Sequence, residues 1–273
     1  MSFTEHNVGG LIFDTSDAIS AVPGVVHAFT TRHGGVSPAP FDSLNFADHH
    51  GDTNENLLEN YRRLGAAVGF DASRAVACRQ IHSDHVCVAR EEDACKLLWD
   101  ERLDDGDALI TNVPNLPLFA YGTDCCVITL YDPSTRCIGA VHAGWRGTAS
   151  GIALKTAVTM MSYYGADPYT LRAAIGPSIG KCCFEVDEDV AHTFKALLDP
   201  AVDERIEQRG EKYLIDLKGI NRLWLLRAGI DPARVDVHPD CTKCHPERYW
   251  SHRAMGDKRG GMAGVICLTG EER

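Results

Sequence analysis

The stretch TDCCVITLYDPSTRCIGAVHAG, residues 123–144, decides the fold. Two apolar, β-branched runs flank Asp132-Pro133-Ser134-Thr135, a four-residue turn, so the segment predicts a β-hairpin with strands over 126–131 and 136–143. If Tyr131 pairs with Arg136 across that turn, Cys125 stands opposite His142. Opposed residues share a face with Cβ atoms about 5 Å apart, so a thiol and an imidazole would meet there and hold one metal ion or share a proton. A one-residue slip would put Val141 there instead and turn His142 to the other face.

Outward from the hairpin, short apolar runs predict further strands over 25–31, 75–80, 85–90, 107–111, 116–122, 171–176, 213–217, 234–238 and 262–268. Apolar residues at three- and four-residue intervals predict a helix from Thr148 to Tyr164. Others are expected over about 54–68, 187–198 and 217–228. Strands joined by short turns and interleaved with helices predict an α+β fold, a single α/β/α layered domain over residues 1–273 with a mixed, largely antiparallel sheet.

The chain has 273 residues, a hydrophobic share of 44% and a formal charge of -11, which permits a large core and disfavours nucleic acid or an anionic membrane as partner. The opening MSFTEHNVGGLIFD lacks the basic and apolar regions of an export signal, and no run is long enough to span a membrane, so a cytoplasmic location is expected. Eleven cysteines, an odd number without an export signal, predict free thiols. Cys78, Cys87, Cys137 and Cys267 sit in strand-like runs as small buried hydrophobes.

A metal ion would need a third ligand, and CRQIHSDHV offers His82 and His85 in a turn. Two imidazoles and a thiolate leave one tetrahedral position for water, the pattern of catalytic zinc. Asp124 is either a carboxylate that orients a ligand imidazole or a turn cap. The polar loop TRHGGVSPAPFDSLNFADHHGD, residues 31–52, offers Arg32, Ser43 and Asn45 to a polar substrate or to its own backbone. Arg146 and Arg253 add cations suited to a carboxylate or phosphate. CTKCH, residues 241–245, has the spacing of a haem attachment motif, with Met255 a conceivable axial ligand, but no export signal accompanies it. It would form a zinc knuckle if His245 and His252 joined Cys241 and Cys244. IGPSIGKCC lacks the ending of a phosphate-binding loop and reads as a tight turn.

Taken in order, TRHGGVS, SLNF, QIHSDHV, DALIT, TDCCVITLYDP, VHAGWRGTASG, IGPSIGKCCFEV and YWSHR resemble the laccase-domain family of polyphenol oxidases and purine nucleoside phosphorylases. The resemblance implies an α/β/α domain and zinc held by His82, Cys125 and His142, which would also be the catalytic residues. It implies phosphorolysis of adenosine, inosine, guanosine and methylthioadenosine, adenosine deamination, and a small-molecule substrate pair of purine nucleoside and phosphate. Arg32, Asn45, Arg146 and Arg253 match pocket positions of the family. Val127 replaces the family's usual proline, and Cys126 adds a neighbouring thiol.

Three other functions use the same residues. Copper is possible at the Cys/His₂ set, although the isolated histidines do not resemble a multicopper oxidase. Without metal, Cys125 with a histidine base would make a thiol amidase or deamidase acting on a cell-wall precursor or another amide. A metal or redox sensor would need no turnover. The physiological substrate, the native metal and the oligomeric state are not legible in the sequence.

Overall fold

The computed structural model describes residues 2–48, 51–98 and 101–270. The hairpin forms, with strands Cys126–Asp132 and Cys137–Ala143 antiparallel. Its register differs from expectation: Asp132 pairs with Cys137, and Val127, not Cys125, stands opposite His142. The cause lies in the turn. The Asp132 carboxylate accepts bonds from the hydroxyls of Ser134 and Thr135, both at 2.7 Å, and from their backbone amides at 3.3 and 3.2 Å. Arg136, at φ +51°, turns left-handed, so the loop runs from Pro133 to Arg136 and Asp132 joins the strand. A shift of two partners preserves the side-chain face, which alternates with period two. Cys125, just before the strand, therefore still approaches His142 from the same side.

This hairpin lies within a six-stranded sheet ordered Val235–Val237, Arg172–Ile175, Cys126–Asp132, Cys137–Ala143, Ala108–Thr111 and Val86–Val88. The outermost pair at each end is parallel and the inner pairs are antiparallel. A seven-stranded sheet runs Phe3–Val8, Leu11–Ser16, Val25–Thr30, Met262–Leu268, Leu118–Gly122, Val76–Arg79 and Leu103–Asp105. A small third sheet joins Glu185–Val186, Lys212–Ile215 and Ile206–Arg209.

Alternation along the strands explains the layering. Leu109, Val127, Ile138 and Ala140 of the six-stranded sheet share one apolar cluster with Leu118, Ala120, Ile266 and Leu268 of the seven-stranded sheet. The other face of the six-stranded sheet, with Ile128, Leu130 and Val141, packs against helices Ile152–Tyr164 and Leu217–Arg227. Phe119, Ala263 and Val265 on the far face of the seven-stranded sheet meet Leu57, Tyr61 and Leu64 of helix Asn54–Val68. The α+β class with mixed sheets holds, but the expected single sheet is two, packed face to face between helices, because both possess two apolar faces.

Two further differences have local causes. The helix expected from Thr148 is split into Trp145–Ala149 and Ile152–Tyr164 by Gly151 at φ +75°. The Thr148 carbonyl accepts from the Gly151 amide at 3.1 Å, closing a tighter turn, and from the Trp224 indole at 2.8 Å. The hairpin Phe3–Val8/Leu11–Ser16 was not anticipated, since its polar first strand hides the alternation, although Gly9 and Gly10, both at positive φ, form a characteristic two-residue turn.

Candidate metal centre

The candidate site is lined from both sheets, by His142 of the six-stranded one and by Tyr121 and Gly122 of the seven-stranded one. His142 is 4% exposed and belongs to strand Cys137–Ala143. Its Nδ1 lies 2.7 Å from Oδ1 of Asp107, and its backbone N–H donates to the Asp107 carbonyl at 2.7 Å. A carboxylate only accepts, so Nδ1 carries a proton toward Asp107, and Nε2 is the nitrogen whose lone pair becomes available once His142 is neutral. The same carboxylate accepts from the amides of Ile81, His82 and Ser83 at 3.3, 3.1 and 2.5 Å and from the Ser83 hydroxyl at 2.7 Å. These bonds hold the turn at His82, whose φ of +61° is strained for a residue with a Cβ. One buried acid thus positions both histidines.

Cys125 follows Asp124, itself left-handed at φ +85°. Asp124 does not orient an imidazole; that role falls to Asp107. The Asp124 carboxylate accepts from the Thr242 hydroxyl at 2.6 Å and the Arg253 amide at 2.8 Å, and its carbonyl accepts from the Ile179 amide at 2.8 Å. The result is a fixed backbone directly before the thiol. Ligand atoms of His82, Cys125 and His142 all lie within 4.8 Å of one another, and the two rings stand edge to face at 4.9 Å. His85 is not part of this group; its Nδ1 bonds the Asp105 carbonyl at 2.7 Å.

Gly144 answers why a glycine follows the strand. A Cβ there would lie 2.9 Å from Cδ2 of His82, 3.2 Å from Sγ of Cys125 and 3.6 Å from Cε1 of His142. Gly144→Ala is expected to displace His82 and weaken metal affinity about 10-fold or more, the range for changes just outside a ligand set. Competition against a chromophoric chelator measures this; unaltered affinity would show that the triad tolerates the methyl.

The electrostatics are those of a coupled pair. Burial would raise the Cys125 thiol, but the His142 charge and hydrogen bonds from both histidines outweigh it and bring the thiol down to about 6. Burial would lower His142, yet Cys125 and Asp107 hold it up at about 9. Burial likewise opposes ionisation of Asp107, while His142 and Ser83 hold its carboxyl down at about 2. In metal-free protein, thiolate is therefore the main form of Cys125 above about pH 6. Alkylation of Cys125, followed by peptide mass mapping, should reach its plateau near pH 7, about three units before an ordinary thiol. A rate still climbing through pH 8 would contradict the pairing.

The triad forms one wall of a cleft of roughly 210 Å³, whose other walls include Phe46, Gln80, Tyr121, Thr123, Arg102 and Arg259. Gln80 clamps the backbone of Tyr121 through both amide atoms, at 2.7 and 2.9 Å. Arg102 is ion-paired with Asp48 at 2.7 Å, both side chains buried, and lies over the Tyr121 ring. Arg259 donates to the Thr123 hydroxyl at 3.0 Å, while its buried Nε has no acceptor among the described residues.

The residues expected to grip substrate lie elsewhere. Arg32 stacks on Trp250 at 3.8 Å and donates to the carbonyls of Asp42 and Pro246. Ser43 accepts from the amides of Gly34 and Gly35. Asn45, fully buried, bonds Ala47, Asp52 and Gly261 behind the cleft wall. These three satisfy the loop's own polar groups. Arg146 is exposed with its guanidinium over Trp145, and Arg253, also exposed, donates to the Glu185 carbonyl. Asp107, Gln80, Arg102 and Arg259 were missed as site residues. For Asp107 a signal existed, a lone acid opening the apolar run DALIT, which a buried strand does not need.

Residues 26–269 match the family described as multi-copper polyphenol oxidoreductase laccase. A purine nucleoside phosphorylase of Deinococcus radiodurans is 38% identical over 257 residues, 91% of this chain and 94% of that protein. The adenosine deaminase RL5 of an unknown prokaryotic organism is 33% identical over 251 residues, 89% of this chain and 94% of its own length. The crystal structure of YlmD from Geobacillus stearothermophilus superposes with a TM-score of 0.91 at 31% identity, covering 98% of this chain and 99% of that one.

Proposed function

The chain belongs to the multi-copper polyphenol oxidoreductase laccase family, and from that premise we propose that it is a zinc-dependent purine nucleoside enzyme. Relatives named purine nucleoside phosphorylase and adenosine deaminase support an enzyme acting on purine nucleosides. Its reactions are phosphorolysis of adenosine, inosine, guanosine and methylthioadenosine, and deamination of adenosine. The observation that carries this reading is the convergence of His82, Cys125 and His142 in one wall of the cleft.

The residues fit a metal ion. Two imidazoles and a thiolate suit zinc, and copper as second choice, and Gly144 leaves their common centre clear. His82, Cys125 and His142 would hold the ion, which when bound supplies Lewis acidity next to the substrate. Asp107 fixes the ligating tautomer of His142. Phe46 and Tyr121 offer apolar faces to a purine, and the orphan N–H of Arg259 suits an anionic oxygen. In phosphorolysis a phosphate oxygen attacks C1′ as the bond to the base nitrogen breaks; in deamination water replaces the amino group at C6 and ammonia leaves. Both require the nucleoside to be held against the triad, and the triad forming one wall of the cleft supports this. In this reading Arg146, exposed and two residues beyond Gly144 though not part of the cleft lining, binds the incoming phosphate; Arg146→Ala should raise the phosphate KM, and an unchanged KM would remove it from that role.

Treating the protein with chelator should reduce phosphorolysis of inosine and deamination of adenosine to background, and zinc should restore both. Turnover that survives chelation, or metal-replete protein that uses none of the four nucleosides, would overturn the reading. A second reading draws on the hydrogen bond between Cys125 and His142, which suits a thiol nucleophile attacking an amide. Chelator-resistant, alkylation-sensitive amide hydrolysis would favour it. A multicopper oxidase is not proposed: among the described residues, the groups able to hold an ion are this triad and a set of four cysteines.

A further inference from the structure

We propose that Cys182, Cys183, Cys241 and Cys244 form a second zinc site, closed by four thiolates and separate from the triad. The four sulfurs lie within 4.8 Å of one another, with Cys244 at 3.5 Å from Cys183 and 3.8 Å from Cys182. Zinc–sulfur bonds of about 2.3 Å in a tetrahedron set neighbouring sulfurs about 3.8 Å apart, whereas a disulfide brings them to about 2.05 Å. The observed spacing is that of sulfurs sharing an ion. Cys182 and Cys244 are exposed, so burial of apolar surface does not account for the gathering.

Each pair sits on a tight turn that directs its side chains inward. The amides of Cys183 and Phe184 donate to the Gly180 carbonyl at 2.9 and 3.0 Å, and those of Cys244 and His245 donate to the Cys241 carbonyl at 3.1 and 3.2 Å. A bridge between Ser178 and Cys241 aligns the two turns. Gly180 provides the space: a Cβ there would meet Sγ of Cys182 and Cβ of Cys241, each at 3.2 Å. The missing half of the CTKCH motif is therefore Cys182 and Cys183. His245 and His252 instead face Glu247 and Asp257.

On binding, four thiols release their protons to solvent and no atom changes oxidation state. The resulting double negative charge has lysines at hand, Lys181 and Lys243 next to the ligands in sequence. With all four positions taken by protein, the ion is structural. It ties two turns that both hold Asp124, through Ile179 and Thr242, and so positions the backbone of Cys125 without touching substrate.

The test uses full-length protein purified without added metal. In the parent, Cys182 and Cys244 should be alkylated at least about 10-fold more slowly than the exposed Cys95, and match it once the zinc has been stripped by a chelator in denaturant. His142→Ala, which removes a triad ligand, should keep one zinc per chain; adding Cys183→Ser and Cys244→Ser to it should remove that zinc. Alkylation of Cys182 and Cys244 at the Cys95 rate, a metal-free His142→Ala protein with native circular dichroism, a disulfide within the set, or iron in place of zinc would each overturn the assignment. The alkylation comparison decides the matter even if the serine variant fails to fold. The triad is judged separately, by whether Cys183→Ser/Cys244→Ser alone still binds zinc.

Discussion

Cys125→Ala is expected to yield a folded protein that retains no zinc in the cleft and turns over no nucleoside above background. The fold should survive because Cys125 stands outside the regular strand, only partly buried, and its neighbour Asp124 keeps all three of its bonds. The ion should not. Removing the thiolate leaves two imidazoles, one on an exposed turn, and loses the anionic donor that offsets the ion's charge, costing about 100-fold or more in metal affinity. Elemental analysis should then find only the zinc of the four-cysteine set, with the thermal midpoint near that of the parent. Full zinc content with undiminished nucleoside turnover would end the claim that this thiol is a ligand.

Asp107→Asn should be nearly as damaging although Asp107 need touch neither ion nor substrate. An amide can turn its NH₂ toward Nδ1 of His142, which shifts the ring proton to Nε2 and removes the lone pair a metal needs. It also replaces one of the two oxygens that gather the amides of residues 81–83. Loss of such a partner typically costs about 10- to 100-fold in metal affinity or activity. The acid limb of stability carries a second signature. Asp107 is ionised down to about pH 2 in the folded metal-free protein, below the ordinary carboxylate value of 3.8, because hydrogen bonds from His142 and Ser83 outweigh its burial. The stabilisation is therefore complete above the unfolded value and is lost as pH falls through the folded one. Urea melts between pH 5 and pH 2 should show a shallower decline for Asp107→Asn than for the parent. Superimposable declines, or parental zinc affinity, would mean that the carboxylate does not hold the imidazole.

Legibility in the sequence followed the physics of each element. Helix Asn54–Val68 and strand Met262–Leu268 emerged with the boundaries expected, because both carry an unbroken period and definite ends, Thr53 accepting from Asn56 and Gly69 turning left-handed. The central hairpin was legible as a hairpin, but its register depended on one dihedral, that of Arg136, which residue type does not announce. The partner expected for His142 was consequently wrong while its face was right. The division into two sheets was hidden because buried strands with two apolar faces read alike whichever sheet they join.

The site divided in the same way. Cys125 and His142 are candidates from the hairpin, and His82, left open beside His85 by spacing, from the family resemblance; the structure brings the ligand atoms of all three together. Arg32, Ser43 and Asn45 stood out for the polarity of their loop, yet a loop of that length has many buried backbone groups of its own to satisfy, and these side chains do so. Arg102 and Arg259 carried no local pattern, since they reach the cleft from segments far apart in the chain. Cys182 and Cys183 likewise showed no link to CTKCH across some sixty residues; the pairing of Ser178 with Cys241 and the spacing of the sulfurs reveal it.

The unequal mounting of the two histidines has a kinetic corollary. His142 is sealed within a strand, whereas His82 rides a surface turn that a single carboxylate restrains. An ion held by the triad would enter and leave past the surface imidazole, the first contact to let go and the last to engage. Loosening that turn would speed exchange of such an ion far more than it would alter the seat itself, so the rate of release could change without disturbing the strands that define the pocket.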